Sequence, residues 1–218
     1  MAKLEIIGIP ESTFVRVVRM TCEEKGVPYD LTPAAPHSPP INAIHPFGKV
    51  PAMRHGDIEL CESKAIATYI DRTFDGPKLI PDDPHEAALV EQWVSMVNTV
   101  IDRTMVRTYL LSYIFPKGAN GQPDRATIDG SLGDMRYQAQ TLDRAVAKTG
   151  YLAGRGYTLA DINVMPILFY VRRFPEGGEI VKSATNLEAY YNRHAERPSF
   201  KATMPPPPPA KQSTPPQR

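Results

Sequence analysis

Four short stretches of this sequence hold residues whose types and spacing could do chemistry. Ser12-Thr13 lies between a first short strand and a first helix. A hydroxyl there can donate to a thiolate, and a helix N-terminus favours the same negative charge. Val50-Pro51 opens a later strand. Proline lacks an N–H and is disfavoured inside sheets, so its place points to a cis bond at a tight corner. Such a bond turns the Val50 N–H and C=O outward, ready to pair with an extended peptide. Glu62-Ser63 begins a third helix, whose free N–H groups and dipole make an anion site. The Ser63 hydroxyl adds a donor, and Glu62 can pair with a ligand ammonium group. Thr158-Leu159-Ala160-Asp161 is a capping box, with a structural role at the head of an apolar helix. Each of the first three also has a plainer reading, as an ordinary edge proline or as helix caps.

The elements that must position these residues follow from periodicity. Leu4, Ile6 and Ile7 open a strand ending at Gly8, and Phe14 to Lys25 places Phe14, Val17, Val18, Thr21 and Cys22 on one helical face. Gly26 ends that helix, and Val27 to Leu31 reads as a second strand. Residues 32–46 carry five prolines and read as irregular backbone. Val50 to Met53, the turn His55-Gly56-Asp57 and Ile58 to Leu60 form a hairpin, followed by a helix from Ser63. The order β-α-β-loop-β-β-α implies a mixed sheet of four strands. Beyond the linker the pattern is helical: a long helix through Leu89, Trp93, Met96, Val97, Val100 and Thr104 towards Phe115, a second over Leu132 to Thr149, and an apolar run from Ile162 to Val171. The division expected is residues 1–76, a linker 77–83, a helical domain 84–204 and a proline-rich, disordered tail 205–218.

Composition narrows the partners. The 218 residues carry 25 basic and 24 acidic side chains, a formal net charge of +1. That near-balance provides no long-range field to recruit nucleic acid or anionic lipid. Cys22 and Cys61 lack any Cys-x-x-Cys spacing and suggest neither a disulfide framework nor a metal site; both read as buried thiols. With no leading signal and no long apolar run, a soluble, cytoplasmic protein is expected.

Three of these motifs, taken in order and at their spacing, resemble the cytosolic glutathione transferases over roughly residues 3–204. His45-Pro46-Phe47-Gly48-Lys49-Val50-Pro51 is similar to the family's glutathione-binding loop, Glu62-Ser63-x-Ala65-Ile66 to its γ-glutamyl motif, and Tyr157 to Ile162 to its helical-domain capping box. Ser12 with Arg16, Met165-Pro166 and Arg197 to Lys201 resemble the phi-type, serine-using members; His45, Lys49 and Phe200 depart from the usual Asn, Gln and Trp. The resemblance implies a thioredoxin-like α/β domain followed by an all-α bundle, a homodimer, and glutathione as co-substrate, with neither cofactor nor metal. It implies that Ser12, or Thr13 in its place, stabilises the glutathione thiolate. Val50 would pair with the cysteinyl unit beside a cis Pro51, Glu62 and Ser63 would hold the γ-glutamyl group, and Lys49 and His37 would face the glycyl carboxylate. A small electrophile would meet Ile9, Phe14, Met105, Tyr109 and Tyr113. Two other readings of the same fold are a glutathione-dependent disulfide or peroxide reductase and a non-catalytic binding protein.

Overall fold

The structure is a computed structural model and describes residues 3–207. Most of the expected tail, residues 208–218, lies outside the described residues. Strands β1 (Leu4–Ile7), β2 (Tyr29–Thr32), β3 (Ala52–His55) and β4 (Ile58–Cys61) form one sheet in the order β2-β1-β3-β4. β1 runs parallel to β2 and antiparallel to β3, which pairs antiparallel with β4, so the sheet is mixed as expected. β2 starts two residues later than its apolar pattern suggests. Pro28 has no N–H for the ladder, and Val27 is instead buried in the core beside the sheet.

Helix α1 (Thr13–Lys25) ends at Gly26, whose φ of 67° is the left-handed conformation that glycine supplies at helix ends. The single apolar face expected of it is not what forms. Val15, Val18 and Cys22 join the sheet-side core, while Val17 and Met20 join the core of the helical domain. Phe14 is only half-buried. The helix is clamped between two domains, so both sides must be apolar.

Its three cations reach distant chain, Arg16 with only one of its three nitrogens paired. Lys25 pairs with Asp71 at 3.2 Å, deep in the protein, and Asp71 also accepts from the Leu79 and Ile80 N–H groups just past helix α3 (Ser63–Thr73). Arg16 and Arg19 reach the carbonyls that end the last helix, at Phe200, Ala202 and Thr203. These contacts fix the linker and the C-terminal end against α1.

The proline-rich segment holds a short helix, α2 (Pro39–Asn42), where irregular backbone is expected. Pro39 and Pro40 occupy the first turn, the one place where a missing N–H costs nothing, and Ile41 anchors the turn in the core.

The helical domain comprises α4 (Pro84–Met96), a wide-turned π-helical stretch (Val97–Leu110), α5 (Leu111–Ile114), α6 (Arg125–Thr149), α7 (Leu159–Val171), α8 (Pro175–Ser183), α9 (Thr185–Ala195) and α10 (Pro198–Ala202). α6 begins seven residues before the expected Leu132, at an Asp124 cap that accepts from the Thr127 N–H; Gly130 and Gly133 blur its pattern. α7 is buried nearly all round, and Trp93 packs partly buried against the same core.

One ionic knot in this domain makes its stability depend on pH. Burial pushes the Glu176 carboxyl up, but bonds from the Tyr113 hydroxyl, its own helix terminus, Arg125 and the Tyr109 hydroxyl outweigh it and hold it at about 2. A depressed folded value stabilises the fold above the ordinary carboxylate value of 4.5 and loses that contribution as pH falls towards about 2. Urea midpoints are expected to fall over that window, and Glu176→Gln is expected to flatten part of the fall.

Candidate active site

One cavity of about 1080 Å³ lies where the sheet domain meets the helical domain. Ser12, Thr13, His37, Lys49, Val50, Pro51, Glu62 and Ser63 all line it, so every residue expected to meet glutathione faces one space.

At its inner end Ser12 is the N-cap of α1, and its hydroxyl oxygen accepts from the Val15 N–H at 3.4 Å. Accepting with the oxygen leaves the hydroxyl proton free to donate outward. Capping and anion binding are therefore compatible roles for Ser12. Thr13, the next residue, is buried at the same wall. Tyr170 of α7 also lines the cavity, but its hydroxyl donates to the Glu11 carbonyl at 2.6 Å, so that proton is already committed.

The Val50–Pro51 bond is cis, in accord with its sequence context. The loop leading to it is tightly packed. The His37 N–H donates to the Gly48 carbonyl at 2.8 Å, and the Asn42 amide donates to the His37 carbonyl at 2.9 Å. A Cβ at Gly48, where φ is 62°, would lie 2.2 Å from the His37 imidazole. Only glycine fits there without moving the His37 ring, and His37 and Lys49 both line the cavity.

Glu62 caps α3 with φ 69° and ψ 113°, a strained backbone for a residue with a Cβ. Its side chain makes no capping bond and is mostly exposed, 3.5 Å from His45 Nε2. His45 is buried, and its Nδ1 accepts from the Phe47 N–H at 3.1 Å. That bond places the ring proton on Nε2, facing Glu62. Ser63, the first residue of α3, is buried at the same corner. The corner thus offers a carboxylate beside a helix N-terminus, complementary to a zwitterionic amino-acid head.

The opposite wall comes from the π-helical stretch and α5, through Val106, Leu110, Leu111, Ile114 and Phe115. Of the apolar residues expected there, Ile9 and Phe14 line the cavity. Met105 and Tyr109 are fully buried in the core, and Tyr113 stacks on Phe174 while its hydroxyl binds Glu176. The widened turns shift which residues face outward, and ordinary helical spacing does not reveal it. Glu11, His45, Asn98, Asp102, Arg107 and Tyr170 line the cavity without having been singled out for a role in it. His45 was the traceable one, since it heads the loop motif.

The cysteines stand apart. Cys22 is buried, and burial pushes its thiol up to about 12. Cys61, expected to be buried, is only partly so, because it ends the edge strand β4; burial and then Glu62 raise its thiol. Neither lines the cavity. Among the described residues no cluster of His, Cys, Asp or Glu could hold a metal, and no helix is long and apolar enough to cross a membrane.

Comparison with known proteins gives this architecture its class. The family description "Glutathione S-transferase, N-terminal domain" matches residues 6–78, and "Glutathione S-transferase, C-terminal domain" matches residues 101–198. The chain belongs to the glutathione S-transferase family. It is 31% identical to glutathione S-transferase 3 of Zea mays, with 94% of each chain covered, and 29% identical to glutathione S-transferase F13 of Arabidopsis thaliana, with 93% and 95% covered. The crystal structure of glutathione transferase F7 from Populus trichocarpa superposes with a TM-score of 0.83 at 27% identity, covering 92% of this chain and 97% of that one. The resemblance to serine-using, phi-type members is in keeping with these plant F-type relatives.

Proposed function

We propose that this chain is a glutathione transferase. Ser12 donates a hydrogen bond to the glutathione sulfur and holds it as thiolate. The thiol proton passes to water, and the thiolate attacks an electrophilic carbon of a small molecule to form the C–S bond. The electron pair of the bond that breaks leaves with the displaced group as an anion or, in an addition, moves to the acceptor atom, which takes a proton from water. The observation that carries the reading is convergence: separate stretches of chain, at Ser12-Thr13, His37, Lys49 to Pro51 and Glu62-Ser63, bring their groups to one cavity whose far wall is largely apolar. In this reading residues 1–76 hold glutathione, with Val50 pairing to its cysteinyl backbone, and residues 84–204 shape the electrophile pocket. Lys49 and His37 receive the glycyl carboxylate, and Glu62 and Ser63 the γ-glutamyl head. The position of both cysteines outside the cavity favours a hydroxyl-based transferase over a disulfide reductase. Thiol consumption with a panel of electrophiles tests the activity.

The Glu62 role has its own measurement. Removing one partner of a charge-assisted, partly desolvated hydrogen bond costs about 1.5–3 kcal/mol, roughly ten- to a hundredfold in affinity. Glu62→Ala is expected to weaken glutathione binding by that factor in calorimetry, with little change in melting temperature. Unaltered affinity would reduce Glu62 to a helix residue with no ligand.

The protein is proposed to be cytoplasmic and to work as a homodimer. Phe47, on the binding loop, is 72% exposed, an apolar anchor with nothing packed over it in the single chain. Light scattering at micromolar concentration is expected to give twice the 24.2 kDa chain mass. Phe47→Ala is expected to shift the balance towards monomer, and a monomeric wild type would refute the assembly.

A further inference from the structure

The electrophile wall of the cavity is not wholly apolar. Asp102 is 4% exposed, and one carboxylate oxygen, Oδ2, accepts from Arg107 Nε at 2.9 Å. Its other oxygen, Oδ1, is buried with no hydrogen-bond partner. One turn earlier the Asn98 side-chain oxygen is in the same condition. Both residues line the active-site cavity, as does Arg107, whose guanidinium lies 5.7 Å from the ring of Phe14, two residues past Ser12. A buried acceptor left unpaired is costly, and such groups are retained chiefly where something else completes them.

We propose that Asp102 and Asn98 form a polar subsite within the electrophile half of the cavity, and that the second substrate carries a hydroxyl group that donates to the Asp102 carboxylate, whose unpaired Oδ1 it meets as the buried side chain turns towards the cavity. The donor is a neutral hydroxyl and not an ammonium group, because Arg107 already balances the carboxylate and the pair presents no net charge to recruit a cation. Burial raises the Asp102 carboxyl against the opposing effect of Arg107, which also disfavours a role as a free anion awaiting a counter-ion. A site built to bond a substrate hydroxyl discriminates against an analogue lacking it far more strongly than an apolar wall distinguishes sizes. The subsite rests on the transferase reading above and sharpens it: the natural electrophile is a hydroxylated compound, not a plain hydrocarbon-bearing one.

The test uses phenethyl isothiocyanate and its three ring-hydroxylated isomers, each with glutathione and the full-length enzyme, and each rate divided by that of the uncatalysed reaction. At least one hydroxylated isomer is expected to exceed the parent by about tenfold or more in corrected kcat/KM. Asp102→Leu is expected to bring that ratio down to near unity, and Asp102→Asn, which retains an acceptor oxygen, to preserve part of it. Turnover of all four compounds by wild type without preference overturns the subsite and leaves the transferase reading standing. No turnover of any, with no glutathione binding, overturns both. The wild-type ratio decides the matter even if Asp102→Leu does not fold. A variant that retains the full preference overturns the assignment to Asp102.

Discussion

Asp161→Ala is expected to lower stability by about 3–5 kcal/mol, a large part of the roughly 5–15 kcal/mol that holds a folded domain together. Asp161 is fully buried at the head of α7. One carboxylate oxygen accepts from the Leu152 N–H at 2.9 Å and the Tyr190 hydroxyl at 2.8 Å; the other accepts from the Thr158 N–H at 2.9 Å and the Thr158 hydroxyl at 3.1 Å. Burial disfavours this charge, and the four bonds only partly compensate, so the carboxyl sits above its ordinary range. Removing the carboxylate relieves that cost but strands two buried backbone N–H groups, each worth about 1–3 kcal/mol, and abolishes a cap worth about 0.5–2 kcal/mol. The buried Tyr190 hydroxyl loses its partner as well. Asp161→Asn, with one acceptor oxygen left, should fall between. Urea unfolding at fixed protein concentration reads the effect as a lower midpoint at unchanged slope. A loss below about 1 kcal/mol would mean that water reaches the freed amides.

That capping box was legible from Thr158 and Asp161 alone because both of its partners are local. The same holds for the ends of the sheet domain: Gly26, Val50-Pro51 and Glu62-Ser63 each carry their geometry in adjacent residues. What sequence spacing does not reveal is set by contacts between distant elements. α1 was readable as apolar, but not that it is buried on both sides, since the second side exists only when α7 and α10 pack on it. The wall opposite Ser12 was misassigned for a different reason. Val97, Ile101, Met105 and Tyr109 turn inward at every fourth residue, and the Leu111 N–H bonds the Val106 carbonyl five residues back. An α-helix of 3.6 residues per turn carries Val100 and Thr104 onto the buried face; the wider turns leave Val100 exposed and Thr104 only half-buried. Hence Asp102 and Asn98 reach the cavity where Met105 and Tyr109 were expected. The polar character of that wall was hidden with them.

Ser12→Ala is expected to raise the pKa of the bound glutathione thiol and to cut turnover at neutral pH. A free thiol has a pKa near ~8.5, so only a few per cent is thiolate at neutrality. Lowering it by about two units needs ~2.7 kcal/mol of preferential stabilisation of the anion. A charge-assisted bond from the Ser12 hydroxyl supplies roughly half or more of that, and the N-terminus of α1 adds about 0.3–1 kcal/mol. The variant keeps the helix terminus but loses both the donor and the oxygen that accepts from the Val15 N–H, so a modest loss of stability accompanies the kinetic effect. The sign with pH follows from the chemistry: a depressed thiol is ionised at neutral pH, and a raised one becomes ionised only as pH increases. The deficit of Ser12→Ala should therefore shrink towards alkaline pH, whereas a merely structural defect would persist across the range. Thiolate absorbance in the binary complex measures the pKa directly. Thr13→Ala lies at the same wall and provides the control, expected to be milder. A larger loss in Thr13→Ala moves the donor role one residue along the helix. If neither variant changes the thiolate absorbance, a hydroxyl does not activate glutathione in this cavity, and the non-catalytic reading of the fold takes precedence.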